Sequence, residues 1–212
     1  MELIDQGFVI LVIIFSAVIH EVMHGVAANA LGDPTARYAG RLTLNPIPHL
    51  DLFGSIILPV VLSLSGSPLF LAWAKPVPYN PYNLRADGLF RRFSEAIVAF
   101  AGPLSNIAIA LVFGLAIRLD VVNADVAAVF FLVILINVML ALFNMLPIPP
   151  LDGSKVFEAI LPRGLARWYG HWRTQMEASP LAGMGLVLVI ILLMGSAFSG
   201  VVYMGARLIA GV

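Results

Sequence analysis

The sequence predicts an all-α, polytopic membrane protein: four transmembrane helices, a membrane-embedded or re-entrant hairpin, and a short β-hairpin after the first span. The alternative count is five to six spans. Three observations carry this expectation. Of the 212 residues, 60% are hydrophobic and only 11% are charged, against about 25% charged in ordinary soluble chains. The mean hydropathy is +0.97. Several apolar runs reach the roughly 20 residues needed to cross a hydrocarbon core. A soluble domain of this length has no interior large enough for that much apolar surface. The formal net charge is zero, so nothing points to a nucleic-acid partner. Cysteine is absent, which removes disulfides, thiolate catalysis and thiolate metal ligands together.

The elements follow in order. The acidic N-terminus, 1–7, lacks a basic n-region and a small-residue cleavage site, so the first apolar run is expected to stay in the mature protein. That run, 8–31, is the first span. Residues 33–50 are punctuated by glycine and proline (Gly40, Pro46, Pro48) and read as extended backbone with a β-hairpin near the interface. The apolar stretch 52–73 is broken by Pro59 and by Ser65-Gly66-Ser67-Pro68, which suits a bent or re-entrant element. Spans are expected at 93–119, 126–146 and 181–204. Between the last two, 162–180 carries Trp168, Tyr169 and Trp172 among arginines, a composition suited to a loop at headgroup level.

Basic residues orient the chain. If 52–73 dips in and returns, ten of the twelve basic residues fall on one face, those from Arg37 through Arg92 and from Lys155 through Arg173. The acidic N-terminus and the loop 120–125 take the other face. This places the N-terminus outside. The whole chain, 1–212, is expected to form a single domain.

Within the first span stands His20-Glu21-Val22-Met23-His24, an H-E-x-x-H pattern. Residues i and i+4 share a helix face, so both imidazoles can reach one cation. Glu21 sits one residue round, near enough to handle a water proton without being a ligand. Ionisable groups at membrane depth are costly and mark function. A bland alternative has neutral histidines bonded to neighbouring helices beside a protonated Glu21; it suits a lone histidine better than three such groups at metal spacing. A catalytic zinc needs a third protein ligand. His49 and His171 lie in expected loops, which leaves Asp152, in Asn144-Met145-Leu146-Pro147-Ile148-Pro149-Pro150-Leu151-Asp152-Gly153. Asp152 can equally cap a helix over 153–161. Charge balance favours the ligand, because two neutral histidines, Asp152 and an ionised Glu21 bring a Zn²⁺ site to zero formal charge.

Three motifs in this order resemble the site-2 proteases, intramembrane zinc metalloproteases: His20–His24 in the first span, Gly102-Pro103-Leu104-Ser105-Asn106 in a later one, and Asn144-x-x-Pro147-x-Pro149-x-x-Asp152-Gly153. The stretch Gly32-Asp33-Pro34 through Asn45-Pro46 resembles the compact prokaryotic branch. The likeness implies a catalytic core over 8–161, a C-terminal transmembrane helix at 181–204, and one Zn²⁺ per chain. It implies His20, His24 and Asp152 as zinc ligands, Glu21 as the catalytic base, and Asn106 and Asn144 as substrate-binding or orienting groups. Its partners are the lipid bilayer and membrane-protein substrates with a transmembrane segment. Its place is the prokaryotic cytoplasmic membrane, with the site nearer the cytoplasmic side. The extra apolar stretch 52–73 departs from the family's minimal core. The length leaves no room within this chain for a PDZ or similar regulatory domain. The expected activity is therefore an intramembrane zinc-dependent endopeptidase, cutting peptide bonds within or near transmembrane segments. The rivals are a zinc or other divalent-metal transporter and an inactive membrane scaffold of the same fold.

Overall fold

A computed structural model describes residues 3–57, 60, 61, 64, 74–85 and 93–212. The chain divides into two compact units, Met1–Arg85 and Ala86–Val212.

The first unit is built on helix α1, Leu3–Ala30, an apolar run with no internal proline. Gly32 ends it, with φ at 98°, a left-handed conformation that glycine adopts without a Cβ penalty. The amide of Asp33 then returns to the carbonyl of Ala28 at 2.9 Å. A four-residue helix, α2 (Thr35–Tyr38), follows. The expected β-hairpin over 33–50 is not found: among the described residues there is no strand. Beyond α2 the segment makes bends and a 3-10 turn, Ile47–His49. Local bonds hold it, such as that from His49 Nε2 to the Thr43 carbonyl at 2.9 Å. Pro46 and Pro48 supply no amide for a ladder, and these side-chain bonds satisfy the backbone without one. Most of 52–73, the expected re-entrant segment, lies outside the described residues; its start, Leu52–Ile57, is π-helical.

The second unit contains α3 (Ser94–Arg118), α4 (Ala124–Asn144), α5 (Asp152–Ile160), α6 (Arg163–Ala178) and α7 (Pro180–Ala210). Helices α3, α4 and α7 pack on one another around Ala110, Ile134, Val138, Val202, Ala206 and Ala210. Small residues at such contacts let backbones approach closely where lipid gives no hydrophobic driving force. Asn123 caps α4 by accepting from the Val126 amide at 3.0 Å. Residues 162–180, expected as a loop, form helix α6. Pro162 precedes it, and the i,i+4 pair of Arg173 and Glu177 at 3.0 Å supports it.

Among the described residues three helices are long and apolar enough to cross a membrane: Gly7–Ala30, Ser94–Arg118 and Ala124–Asn144. Their outward faces carry exposed Leu11, Phe15, Leu111, Val112 and Leu115, as expected of surfaces solvated by lipid. The run expected as a fourth span, 181–204, is helical throughout within α7.

Candidate active site

The H-E-x-x-H residues lie two-thirds of the way along α1. One helical turn separates His20 from His24, so their rings meet edge to face with centroids 4.7 Å apart and planes 86° apart. Both are buried, at 6% and 9% exposure. Their ligand nitrogens come within 4.8 Å of each other. Two nitrogens on one tetrahedral zinc stand about 3.3 Å apart, given bond lengths of about 2.0–2.1 Å. The donor set therefore fits a borderline-soft divalent cation, for which imidazole is a preferred ligand.

Glu21 is half-buried beside them, and its Oε2 accepts the amide of Val77 at 2.9 Å. The donor belongs to segment 74–85, which turns once at the 3-10 stretch Pro81–Asn83 and is strapped along α1. Val77 is itself buried. Gly25 makes the close approach possible, because a Cβ there would stand 3.0 Å from Val77 Cγ1 and 2.6 Å from Leu42 Cδ2. Both ends of the strap are tied. At its start the Lys75 amide donates to the His49 carbonyl at 2.8 Å, and Arg41 Nη2 donates to the Lys75 carbonyl at 2.7 Å. At its end Asp33 accepts the Asn80 amide at 2.6 Å and Asn83 Nδ2 at 3.0 Å. Asp33 also accepts the Thr35 hydroxyl at 2.5 Å and the Thr35 amide at 3.2 Å. Burial pushes the Asp33 carboxyl up, but these bonds from Thr35, Asn83 and Asn80 outweigh it and hold the group below the ordinary carboxylate range.

In the second unit Asp152 is half-buried and opens α5. The N-cap position is Leu151, which provides no side-chain cap, so Asp152 stands at the first helical residue and not at the cap. An acid there is favoured by the helix dipole. The proline-broken turn before it is closely fitted. Gly153 lies against the Met145–Leu146 backbone, and a Cβ on it would be 2.2 Å from the Met145 carbonyl oxygen. Tyr169 of α6 donates its hydroxyl to the Pro147 carbonyl at 3.0 Å. Ser154 Oγ bonds the Leu151 carbonyl at 2.6 Å.

Asn106 is fully buried in α3 and donates to Asn137 Oδ1 on α4 at 2.9 Å. Asn137 in turn donates to the carbonyl of Val133 at 2.9 Å. Asn144 Nδ2 bonds back to the Leu140 carbonyl of its own helix at 3.0 Å. The structure places His20, Glu21 and His24 on one helix segment of the first unit, and Asp152, Asn106 and Asn144 in the second unit. The sequence assigned no role to Asp33, Val77 or Asn137, and its aromatic pattern put Tyr169 at the interface. Asn137 carried a signal, as an amide in an otherwise apolar span. Asp33 carried a weaker one, an acid followed by Pro34 and Thr35 where a span ends.

The family model described as peptidase family M50 matches residues 115–192, a range that includes Asn144 and Asp152. YwhC of Bacillus subtilis (strain 168) is 35% identical over 167 residues, covering 74% of this chain and 71% of that protein. Rip2 of Mycolicibacterium smegmatis is 29% identical over 198 residues, covering 91% of this chain and 70% of the relative. MJ0611 of Methanocaldococcus jannaschii is 30% identical over 162 residues, covering 72% and 73% respectively. Each bears a name that proposes a zinc metalloprotease. No solved structure matches the chain.

Proposed function

Since the chain belongs to peptidase family M50, the site-2 proteases, a membership that supports a zinc metalloprotease, we propose that it is an intramembrane endopeptidase. It cleaves membrane proteins within or near their transmembrane segments. The observation that carries this reading is the buried His20–His24 pair with Glu21 beside it, on a helix long and apolar enough to span a bilayer.

In this reading His20, His24 and Asp152 would hold a single Zn²⁺. Zinc, when bound, supplies a Lewis acid that polarises a carbonyl and makes water a nucleophile near neutral pH. His20 and His24 would bind through their imidazole nitrogens. Asp152 adds the one negative ligand, which with Glu21 balances the dication in a poorly hydrated setting. Glu21 takes the proton of the attacking water and returns it to the leaving amine. Its Oε2 is engaged by Val77, so Oε1 is the oxygen that receives the proton.

The chain is a membrane protein, and α7 adds a fourth span to the three apolar helices. The basic loops put the N-terminus outside and the site nearer the cytoplasmic face of a prokaryotic membrane. A helical substrate hides its carbonyls in hydrogen bonds. Favoured substrates are therefore single-span proteins or membrane-retained fragments with helix-weakening residues. Asn106 and Asn144 act from α3 and α4 by fixing the frame that orients substrate backbone.

The test is metal analysis of detergent-purified protein, paired with cleavage of a single-span model substrate. Wild type should carry one zinc and cut; Glu21→Gln should keep the zinc and lose about 10²–10⁴-fold in rate. Equal cleavage by both proteins would remove Glu21 from the reaction.

A further inference from the structure

The strap 74–85 does more than connect segments. Three of its residues, Pro76, Val77 and Pro78, offer one amide hydrogen between them, because proline has none. That single donor meets Glu21 Oε2 at 2.9 Å. Lys75 and Val77 each precede a proline, which confines both to extended backbone. The register of the strap therefore decides whether Glu21 has a partner. A slip of one residue in either direction would set a proline nitrogen against the carboxylate.

The register is held from both sides. Arg41 and His49 fix Lys75, two residues before Val77. Asp33 fixes Asn80 and Asn83 beyond it, and the Arg85 amide closes the strap on the Leu31 carbonyl at 2.6 Å. Asp33 is fully buried and accepts four bonds, two from the strap and two from Thr35. Asp33 lies just past the C-terminal end of α1, the helix that carries Glu21. It thus anchors the strap to the same rigid element whose side chain the strap holds.

We propose that Asp33 is a positioning residue for proteolysis: by clasping Asn80 and Asn83 it sets the strap so that the Val77 amide fixes one oxygen of Glu21 and leaves the other for proton transfer. This rests on Glu21 being the proton-transfer group. The placement of a general base governs rate more than binding, because the base acts on a proton that moves in the transition state. A misplacement of about 1 Å costs on the order of 10²-fold.

Two variants test it, Asp33→Asn and Val77→Pro. Each is read by hydrogen–deuterium exchange across 74–85, by zinc content, and by cleavage of a dye-labelled single-span peptide with a Gly-Pro break in its span. Asn at 33 presents an NH₂ where one oxygen accepted. It should speed exchange at Val77 and Asn80 together and lower kcat about 10- to 100-fold. KM should stay within about twofold and zinc unchanged, since a displaced base leaves substrate and metal ligands in place. Pro at 77 deletes the donor together with the buried Val77 side chain, so Val77→Ala, which keeps the amide, is its control. The proline should lower kcat similarly to Asp33→Asn and well below the alanine variant, while exchange at Asn80 and beyond stays as in wild type. The proposal is overturned if Asp33→Asn leaves strap exchange unaltered. It is also overturned if the strap opens with kcat intact, or if Val77→Pro cleaves at the wild-type rate. Should wild type itself fail to cut while Asp33→Asn and Glu21→Gln both free the Val77 amide, the protease reading falls. The hold of the strap on Glu21 would then stand.

Discussion

Replacing Gly153 by alanine tests whether the fitted turn before α5 matters to the metal. The added Cβ would stand 2.2 Å from the Met145 carbonyl oxygen, 2.3 Å from its carbon and 2.5 Å from the Leu146 oxygen. All three are backbone atoms, so no side chain can swing aside. Real Cβ contacts do not fall below 3.0 Å, so the turn and the start of α5 must part by at least about 0.8 Å. Asp152 adjoins Gly153 and moves with it. Overpacking of this kind costs roughly 1–3 kcal/mol. A support that shifts a ligand costs about 10- to 100-fold in metal affinity, and a displacement near 1 Å about 10²-fold in rate. The assay is zinc retention against a graded chelator, followed by cleavage of the single-span peptide. Gly164→Ala is the control, because a Cβ there meets nothing within 4 Å. Gly153→Ala should lose zinc at a lower chelator concentration than Gly164→Ala. If it retains zinc and cleaves like wild type, the close fit at Gly153 does not govern Asp152, and the reasoning is wrong.

Three further outcomes follow. The Asp33 carboxyl is held below its ordinary value of 3.8, so its stabilising bonds are present above that pH and lost as pH falls through the folded value. Thermal unfolding of wild type and Asp33→Asn should differ fully above pH 3.8 and converge below it; a gap unchanged at lower pH would contradict this. Tyr169 is pushed up to about 12, chiefly by burial, with Glu158 and Glu177 adding to it and Arg173 opposing. The neutral phenol is the form the fold prefers, so its contribution is whole below pH 10 and lost as pH climbs towards about 12. The ultraviolet phenolate signal missing from Tyr169→Phe should therefore titrate near that value. Asn106→Ala and Asn137→Ala should each cost about 1–3 kcal/mol in micelle unfolding. Their double variant should fall short of additivity by about 0.5–3 kcal/mol, since one bond joins them; strict additivity would mean the pair is not coupled.

Much of the candidate site was legible because its logic is local. His20, Glu21 and His24 fall within about one helical turn, and apolar length alone makes that turn part of a spanning helix. The Asn144–Gly153 break announced itself through its prolines, and Gly153 proved to be where backbone meets backbone. Composition likewise marked the membrane. The loop expected at 162–180 became α6, because its aromatic side chains, read as interfacial, include Tyr169, which turns inward to Phe157 and Pro147. The hairpin expected over 33–50 failed because nearby acceptors took the backbone donors that a ladder would have used. These are mostly local carbonyls, such as that of Ala36 for the Arg41 amide, and side chains such as Asn45 Oδ1 for the Ile47 amide.

Local pattern was enough for the helical class, the apolar runs and the one-turn spacing of His20 and His24, since each depends on neighbours within a few residues. Only the tertiary structure decided what holds Glu21, which accepts an amide 56 positions away. It also decided that Asn106 answers Asn137 across two helices, 31 positions on. Hydrogen bonds at such separations depend on how whole elements pack, and no local pattern encodes the distance between them.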